Sequence, residues 1–187
     1  MNDFIDEYRV RVKRDKLTKR KLVEEWCFED KLHNPDGPAI ITYDRDNGKI
    51  ESKEWFIDGL CHRENGPRVI GYNPITGKIS SKNWGRHGVE HREKKPSYIE
   101  YDHDGQILTQ EWRKNGVLER EDGPAIIEYE PKTGVTTREE WYKMDRLHRI
   151  DGPALTHRDC ETGNIFKQDH YRAGITFDPK SRKPSLG

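Results

Sequence analysis

The chain has 187 residues, of which 31% are hydrophobic and 36% charged, with 34 basic residues against 34 acidic ones. An ordinary globular core draws on an apolar share of about 45–50%, and the balanced charge argues against both an acidic nucleic-acid mimic and a uniformly basic nucleic-acid binder. The choice is between disorder and a repeat structure in which each unit packs on its neighbours; the regular placement of Trp, Tyr and Ile favours the second.

From the N-terminus, residues 8–23 carry eight basic residues and one acid, Asp15. YRVRV alternates like a strand, and KLTKRKLVEEW reads as its return leg into Trp26. The expectation is a degenerate cap hairpin over residues 1–25, whose Lys and Arg discourage pairing at an exposed sheet edge. The other reading of the same residues is a nucleic-acid patch formed by Arg9, Arg11, Arg14, Lys19 and Arg20.

Next come five tryptophans on one ruler, Trp26, Trp55, Trp84, Trp112 and Trp141, with Tyr171 continuing the series. A fixed period of this size is the mark of a tandem-repeat protein. Twelve residues after each Trp lies a proline (Pro38, Pro67, Pro96, Pro124, Pro153), preceded by glycine in four units. Gly-Pro marks a turn, and proline is tolerated as the first residue of a strand. The stretches that follow, such as AIITY and AIIEY, have strand composition. A polar turn ending in Gly and a second polar strand lead back to the next Trp. The predicted fold is therefore all-β: an elongated antiparallel meander of about five 28–30-residue β-hairpin repeats over residues 26–177, each with a long HRxxGPA loop, and a disordered tail over residues 178–187. Recurring Trp and Tyr are expected to stack as ladders on their counterparts in adjacent hairpins. The recurring Arg63, Arg92, Arg120 and Arg149 precede acidic residues in most units, and an acid before Trp recurs too (Glu25, Glu54, Glu111, Glu140); each arginine is expected to fork onto a carboxylate and so pin its loop.

Several chemistries find little support. Cys27, Cys61 and Cys160 occupy unrelated repeat positions without CxxC spacing, which reads as free thiols in a reducing compartment. No stretch approaches the ~20 apolar residues of a membrane span, and no signal-peptide core is visible, so a cytoplasmic protein without membrane contact is expected. His87-Gly88-Val89-Glu90-His91 spells H-x-x-E-H, but Gly85 and Gly88 break the helix that zinc chemistry requires. The recurring His33, His62, His91 and His148 read as structural, each bonded to a loop carbonyl or acid. No nucleophile–base pair or phosphate-cradling loop stands out, so no enzyme, metal or cofactor is expected.

Departures from the repeat carry the remaining information. Arg68 replaces the Ala after Pro, Lys95 the turn Gly, Ser97 the following Ala, Glu90 the usual Leu, Glu119 the His, and Arg158 the Tyr. Drift explains such changes; the alternative is a partner-binding surface in repeats 2 and 3 made of Arg68, Arg86, His87, Glu90, Lys94, Lys95 and Tyr98.

Motifs such as WFIDG and WRKNG, with Gly-led turns, resemble the MORN-repeat group over about Trp26 to Phe177. These units are longer than the usual MORN motif, and HRxxGPA is an addition to it. The resemblance implies an extended antiparallel meander that binds proteins or membrane lipid; no basic amphipathic stripe runs along the repeats to support lipid. HRxxGPA arrays also resemble those of phages and mobile elements, which implies an inhibitor of a host defence protein or an antitoxin-like protein. The expected function is a non-enzymatic protein-binding module, with nucleic-acid binding as the alternative.

Overall fold

The computed structural model describes residues 7–179, and these form an all-β antiparallel meander. The predicted tail lies outside the described residues from residue 180 onward. The described residues form two compact units, one holding those up to Glu90 with the turn His103–Gly105, the other holding His91–Asp102 and those from Gln106 onward. In the first, Arg9–Arg14, Lys21–Phe28, Ile40–Tyr43, Ile50–Glu54, Val69–Tyr72 and Ile79–Asn83 neighbour one another in chain order. In the second, Tyr98–Tyr101, Ile107–Glu111, Ile126–Tyr129, Thr136–Glu140, Leu155–Arg158 and Ile165–Asp169 do the same.

One device closes most of the long hairpins. The Asp44 carboxylate accepts the N–H groups of Asp46 at 3.0 Å and Asn47 at 2.8 Å, while its carbonyl accepts that of Gly48 at 2.8 Å. Gly48 has φ +74°, a left-handed backbone that favours glycine. Asn73 and Asp159 repeat the arrangement. So does Asp15 in the N-terminal segment, with Lys19 at φ +61° in the glycine's place. The basic segment is thus a further copy of the long hairpin, and its return strand Lys21–Phe28 runs without a break into the first repeat. A register shift precedes the turn in every copy, from Lys13/Arg14 to His157/Arg158.

The sequence pattern suggested one hairpin per repeat, but there are two. Directly after Trp55 a short hairpin joins Phe56–Ile57 to Leu60–Cys61, and its turn residues Asp58 and Gly59 have φ of +50° and +80°. Two left-handed residues in succession define the turn that matches strand twist, which is why W-x3-G recurs. His87–Gly88, Asn115–Gly116 and Ala173–Gly174 are equivalent, and Met144–Asp145 does it without glycine. The Ala173–Gly174 turn corrects the ruler: the sixth counterpart of Trp is His170, not Tyr171. The Phe177 N–H donates to the His170 carbonyl at 3.1 Å, as the His62 N–H does to that of Trp55 at 2.9 Å.

Small residues are buried in each unit where the two hairpins of a repeat meet. Ala39, Ala125, Ala154 and Ser97 are all 0% exposed. The Ala125 N–H donates to the Glu140 carbonyl at 2.7 Å, and the Trp112 N–H donates to the Ala125 carbonyl at 2.8 Å. The preceding proline stands two residues before the strand rather than opening it, because the intervening Ala must supply that N–H. Cys27, Leu118 and Leu155 are the larger buried apolar residues, and most other strand residues are half-buried. Stability therefore rests on neighbour-to-neighbour contacts. Ala125→Leu should cost about 1–3 kcal/mol by overpacking, measured by denaturant unfolding.

Candidate functional site

In four of the five repeats the loop after Trp is held by its arginine, and a carboxylate is only one of the groups it meets. The guanidinium carbons of Arg63, Arg120 and Arg149 lie 3.9, 4.1 and 3.9 Å from the ring centroids of Trp55, Trp112 and Trp141. The same groups donate to the carbonyls of Pro67, Pro124 and Pro153 at 3.3, 3.3 and 3.4 Å. Arg92 reaches Pro96 at 3.1 Å, and in the first repeat Asn34 replaces arginine and reaches Pro38 at 3.0 Å. A Cβ on Gly123 would stand 2.7 Å from the Arg120 guanidinium carbon, so this glycine gives the cation room between indole and turn. Where the ladder reading placed a neighbouring ring on Trp, the protein places a cation. The acids before Trp are engaged elsewhere: Glu111 with Arg113 at 3.1 Å, and Glu140 with Arg138. Of the acids that follow the arginines, Asp122 pairs with Arg120 at 2.9 Å and Asp151 with Arg149 at 3.2 Å, as expected. The Arg120 hydrogen bond lowers the Asp122 pKa below its ordinary value.

The repeated histidines join one repeat to the next. Nδ1 of His33, His62, His91 and His148 accepts the backbone N–H of Asp58, His87, Asn115 and Ala173 at 3.1, 3.3, 3.1 and 3.0 Å. Each donor opens the next short turn, so Nδ1 accepts an amide; the expected acid is met in two repeats, by His33 at 3.0 Å from the Asp58 carboxylate and by His91 Nε2 at 3.3 Å from that of Glu93. Beside it, the turn glycine donates back: Gly59 to Leu32 at 2.8 Å, Gly88 to Cys61 at 2.9 Å and Gly174 to Leu147 at 2.9 Å. Where Glu119 replaces the histidine, the Asp145 carboxylate accepts the Leu118 N–H at 2.8 Å.

Arg68 is a structural exchange rather than a free cation. Its Nε donates to Asn83 at 2.7 Å, and a Cβ on Gly85 would stand 2.8 Å from that same nitrogen. Asn83 stands where other repeats have an acid, and Gly85 where they have a side chain, so the three departures fit together. Of the other partner-surface candidates, Arg86 and His87 are exposed on the short hairpin, with His87 stacked on His62 at 4.5 Å. Glu90 is half-buried opposite Gly85. Lys94 and Lys95 are exposed in the loop, Lys94 at φ +54°, and Tyr98 is a half-buried strand residue opposite Glu111. Arg68, Arg86, His87 and Glu90 belong to the first unit; Lys94, Lys95 and Tyr98 belong to the second. Ser97 is wholly buried and its hydroxyl accepts the Arg113 N–H at 3.1 Å.

The basic N-terminal residues also have internal partners. Arg11 pairs with Asp30 at 2.9 Å and Arg9 approaches it at 3.7 Å. Arg14 donates to the Lys19 carbonyl at 3.1 Å, Lys19 closes the turn, and Arg20 donates to the Asp46 carbonyl. Arg45 of the next turn binds the Asp15 carboxylate through Nε and Nη2 at 3.0 and 2.7 Å. The Thr18 N–H, then Arg45, hold that carboxyl well below the usual range.

Sequence reasoning missed two equivalent grooves of the second unit. One, of about 430 Å³, lies among Arg92, Glu93 and Lys94 of one repeat and Trp112, Arg113 and Lys114 of the next. The other, of about 600 Å³, lies among Glu119, Arg120 and Glu121 and the following Trp141, Tyr142 and Lys143. The two positions after Trp were the available signal: they vary while the frame around them repeats. Burial, then the Glu140 carboxylate, push the Tyr142 phenol up to about 12.

The fold defines an antiparallel tandem-hairpin repeat protein. No known family model matches the sequence, and a search of curated proteins finds no similar one. Among the described residues no helix is long and apolar enough to cross a membrane.

Two outcomes test this geometry. Arg120→Ala should cost about 1–2 kcal/mol through the lost cation–π contact and hydrogen bond. Gly123→Ala should act on the same contact, so the double variant should fall short of the sum in a denaturant double-mutant cycle. Folding favours the neutral form of Tyr142, so stability should fall as pH rises from about 10, where an unfolded tyrosine ionises, towards about 12. Tyr142→Phe should flatten that loss in alkaline thermal melts.

Proposed function

We propose that the chain is a non-enzymatic protein-binding module whose contact surface is the row of grooves beside the short hairpins. One observation carries the reading: the two grooves share the Trp–Arg–Pro frame but differ in lining, with Arg113 and Lys114 in one and Tyr142 and Lys143 in the other. A fixed frame with variable lining suits recognition, and Trp, Tyr and Arg are enriched among interface hot spots. The exposed Lys94 and Lys95, in the same unit as the grooves, are the sequence candidates best placed to extend the surface. Arg68 is removed from it by its structural role. The resemblance to MORN units supports a platform of this kind. The likeness of HRxxGPA arrays to those of phages and mobile elements narrows the reading to an inhibitor of a host defence protein or an antitoxin-like protein acting in the host cytoplasm.

Nucleic-acid binding keeps one supporting observation, the exposure of the whole strand Arg9–Arg14. It predicts binding that weakens steeply with salt.

The test is capture of a partner from a host lysate followed by affinity measurement with surface variants. Lys114→Glu and Lys143→Glu, both at exposed positions, should each weaken binding about tenfold, the size of a hot-spot contact, with unchanged melting temperature. Equal affinity in both variants would reject the grooves as the contact surface. Salt-sensitive retention of DNA or RNA, lost in Arg9→Ala/Arg11→Ala, would move the function to the alternative.

A further inference from the structure

Two strands end the pairing among the described residues. Arg9–Arg14 pairs only with Lys21–Phe28, and Ile165–Asp169 only with Leu155–Arg158. Both are largely exposed and both carry apolar side chains into solvent: Val10 is 44% and Val12 40% exposed on one, Ile165 50% and Phe166 70% on the other. Such edges are open templates for another strand.

The repeats themselves specify what each edge would accept. Where one hairpin meets the next, the second strand of the first pairs with the first strand of the second, in one register. Glu25 lies opposite Ile40, Glu54 opposite Val69, Glu111 opposite Ile126 and Glu140 opposite Leu155. Among the described residues, Ile165–Asp169 is a second strand that no first strand follows, and Arg9–Arg14 is a first strand that no second strand precedes. The Asp15 turn and the shift at Lys13/Arg14 align Arg11 with Val69 and Leu155, Val12 with Ile70, and Lys13 with Gly71.

We infer that the two edges are complementary halves of one more junction, and that a second copy of this chain docks its Arg9–Arg14 edge on the Ile165–Asp169 edge of the first in the register of the internal repeats. Asp169 then faces Arg11, a pair of opposite charge. Gln168 faces Val12. Lys167 faces Lys13, a like-charge pair that weakens the contact and makes it depend on concentration. Arg11 leaves, or shares, its present partner Asp30, and Lys167 its present partner Asp169. The contact joins two different surfaces, so it is head-to-tail. It involves neither groove and stands apart from the protein-binding reading.

Sedimentation velocity of the full chain over a wide concentration range tests it. The sedimentation coefficient should rise reversibly with concentration. Lys13→Glu should strengthen association several-fold by turning the like-charge pair into an attractive one, and adding Lys167→Glu should undo that gain. Arg11→Asp and Asp169→Arg should each weaken association, while an equimolar mixture of the two should recover it, since every contact in the mixture then has a matched pair available. Folding of each variant is checked by circular dichroism, and the gain with Lys13→Glu is a result that loss of folding does not mimic. Monomers at every concentration for both the natural chain and Lys13→Glu would overturn the inference. So would association indifferent to Arg11→Asp, the outcome expected if two Ile165–Asp169 edges paired with each other.

Discussion

A guanidinium stacked on an indole, with its N–H groups turned to a proline carbonyl, is the contact around which the repeat is built. Arg63, Arg120 and Arg149 make it with Trp55, Trp112 and Trp141. The contact crosses from the short hairpin to the loop that leads into the sheet, so it fixes how the two hairpins of a repeat lie together. It also places the next residues: with proline held, the Ala that follows has its N–H and carbonyl aimed at two different strands. In a chain with so few buried side chains, these directional contacts do what a large apolar core does elsewhere.

Propagation from one repeat to the next uses a different group with the same economy. A histidine Nδ1 takes one amide of the following turn, and a backbone carbonyl beside it takes the next amide. Both amides belong to left-handed turn residues, so the turn type that W-x3-G encodes also orients the donors for the junction. That explains the tolerance of the junction to exchange. Glu119 lacks the imidazole acceptor, and Asp145 supplies a carboxylate from the other side to an amide of the same junction.

The class of fold was legible in the sequence because its signals are local: strand composition after GPA, Gly-ended turns, and a period carried by Trp. The second hairpin was harder to see because its arms are two residues long, too short for alternation to register, and only W-x3-G marked it. The arginine's carboxylate was legible in part: Asp122 and Asp151, which follow the arginines in sequence, pair with them, while the acid before Trp does not, for a physical reason. A carboxylate is the usual mate of a guanidinium, but the acid beside Trp lies in the ladder opposite an aliphatic residue, as Glu140 does opposite Leu155. The indole and the proline carbonyl take the face and another N–H group of the guanidinium, beside the carboxylate two residues on. Groove lining was illegible because it joins residues of successive repeats that only pairing brings side by side.

Departures from the repeat therefore divide by whether something nearby changed with them. Arg68 comes with Asn83 and Gly85, and Glu119 is matched by Asp145; these exchanges preserve the frame and leave nothing to recognise a partner. The second position after Trp behaves otherwise. It is Phe28 and Ile57 in the first two repeats, then Arg86, Lys114, Lys143 and, after His170, Arg172. Arg86, Lys114 and Lys143 are exposed. A cation repeated on one arm of successive short hairpins, where the frame requires none, is a property of the surface rather than of the fold. Lys114 and Lys143 line the two grooves, and their changing neighbours Arg113 and Tyr142 give each groove its own shape and charge. The frame thus fixes the spacing of these side chains while leaving their identities free, which separates what the repeat needs to fold from what it offers to a partner.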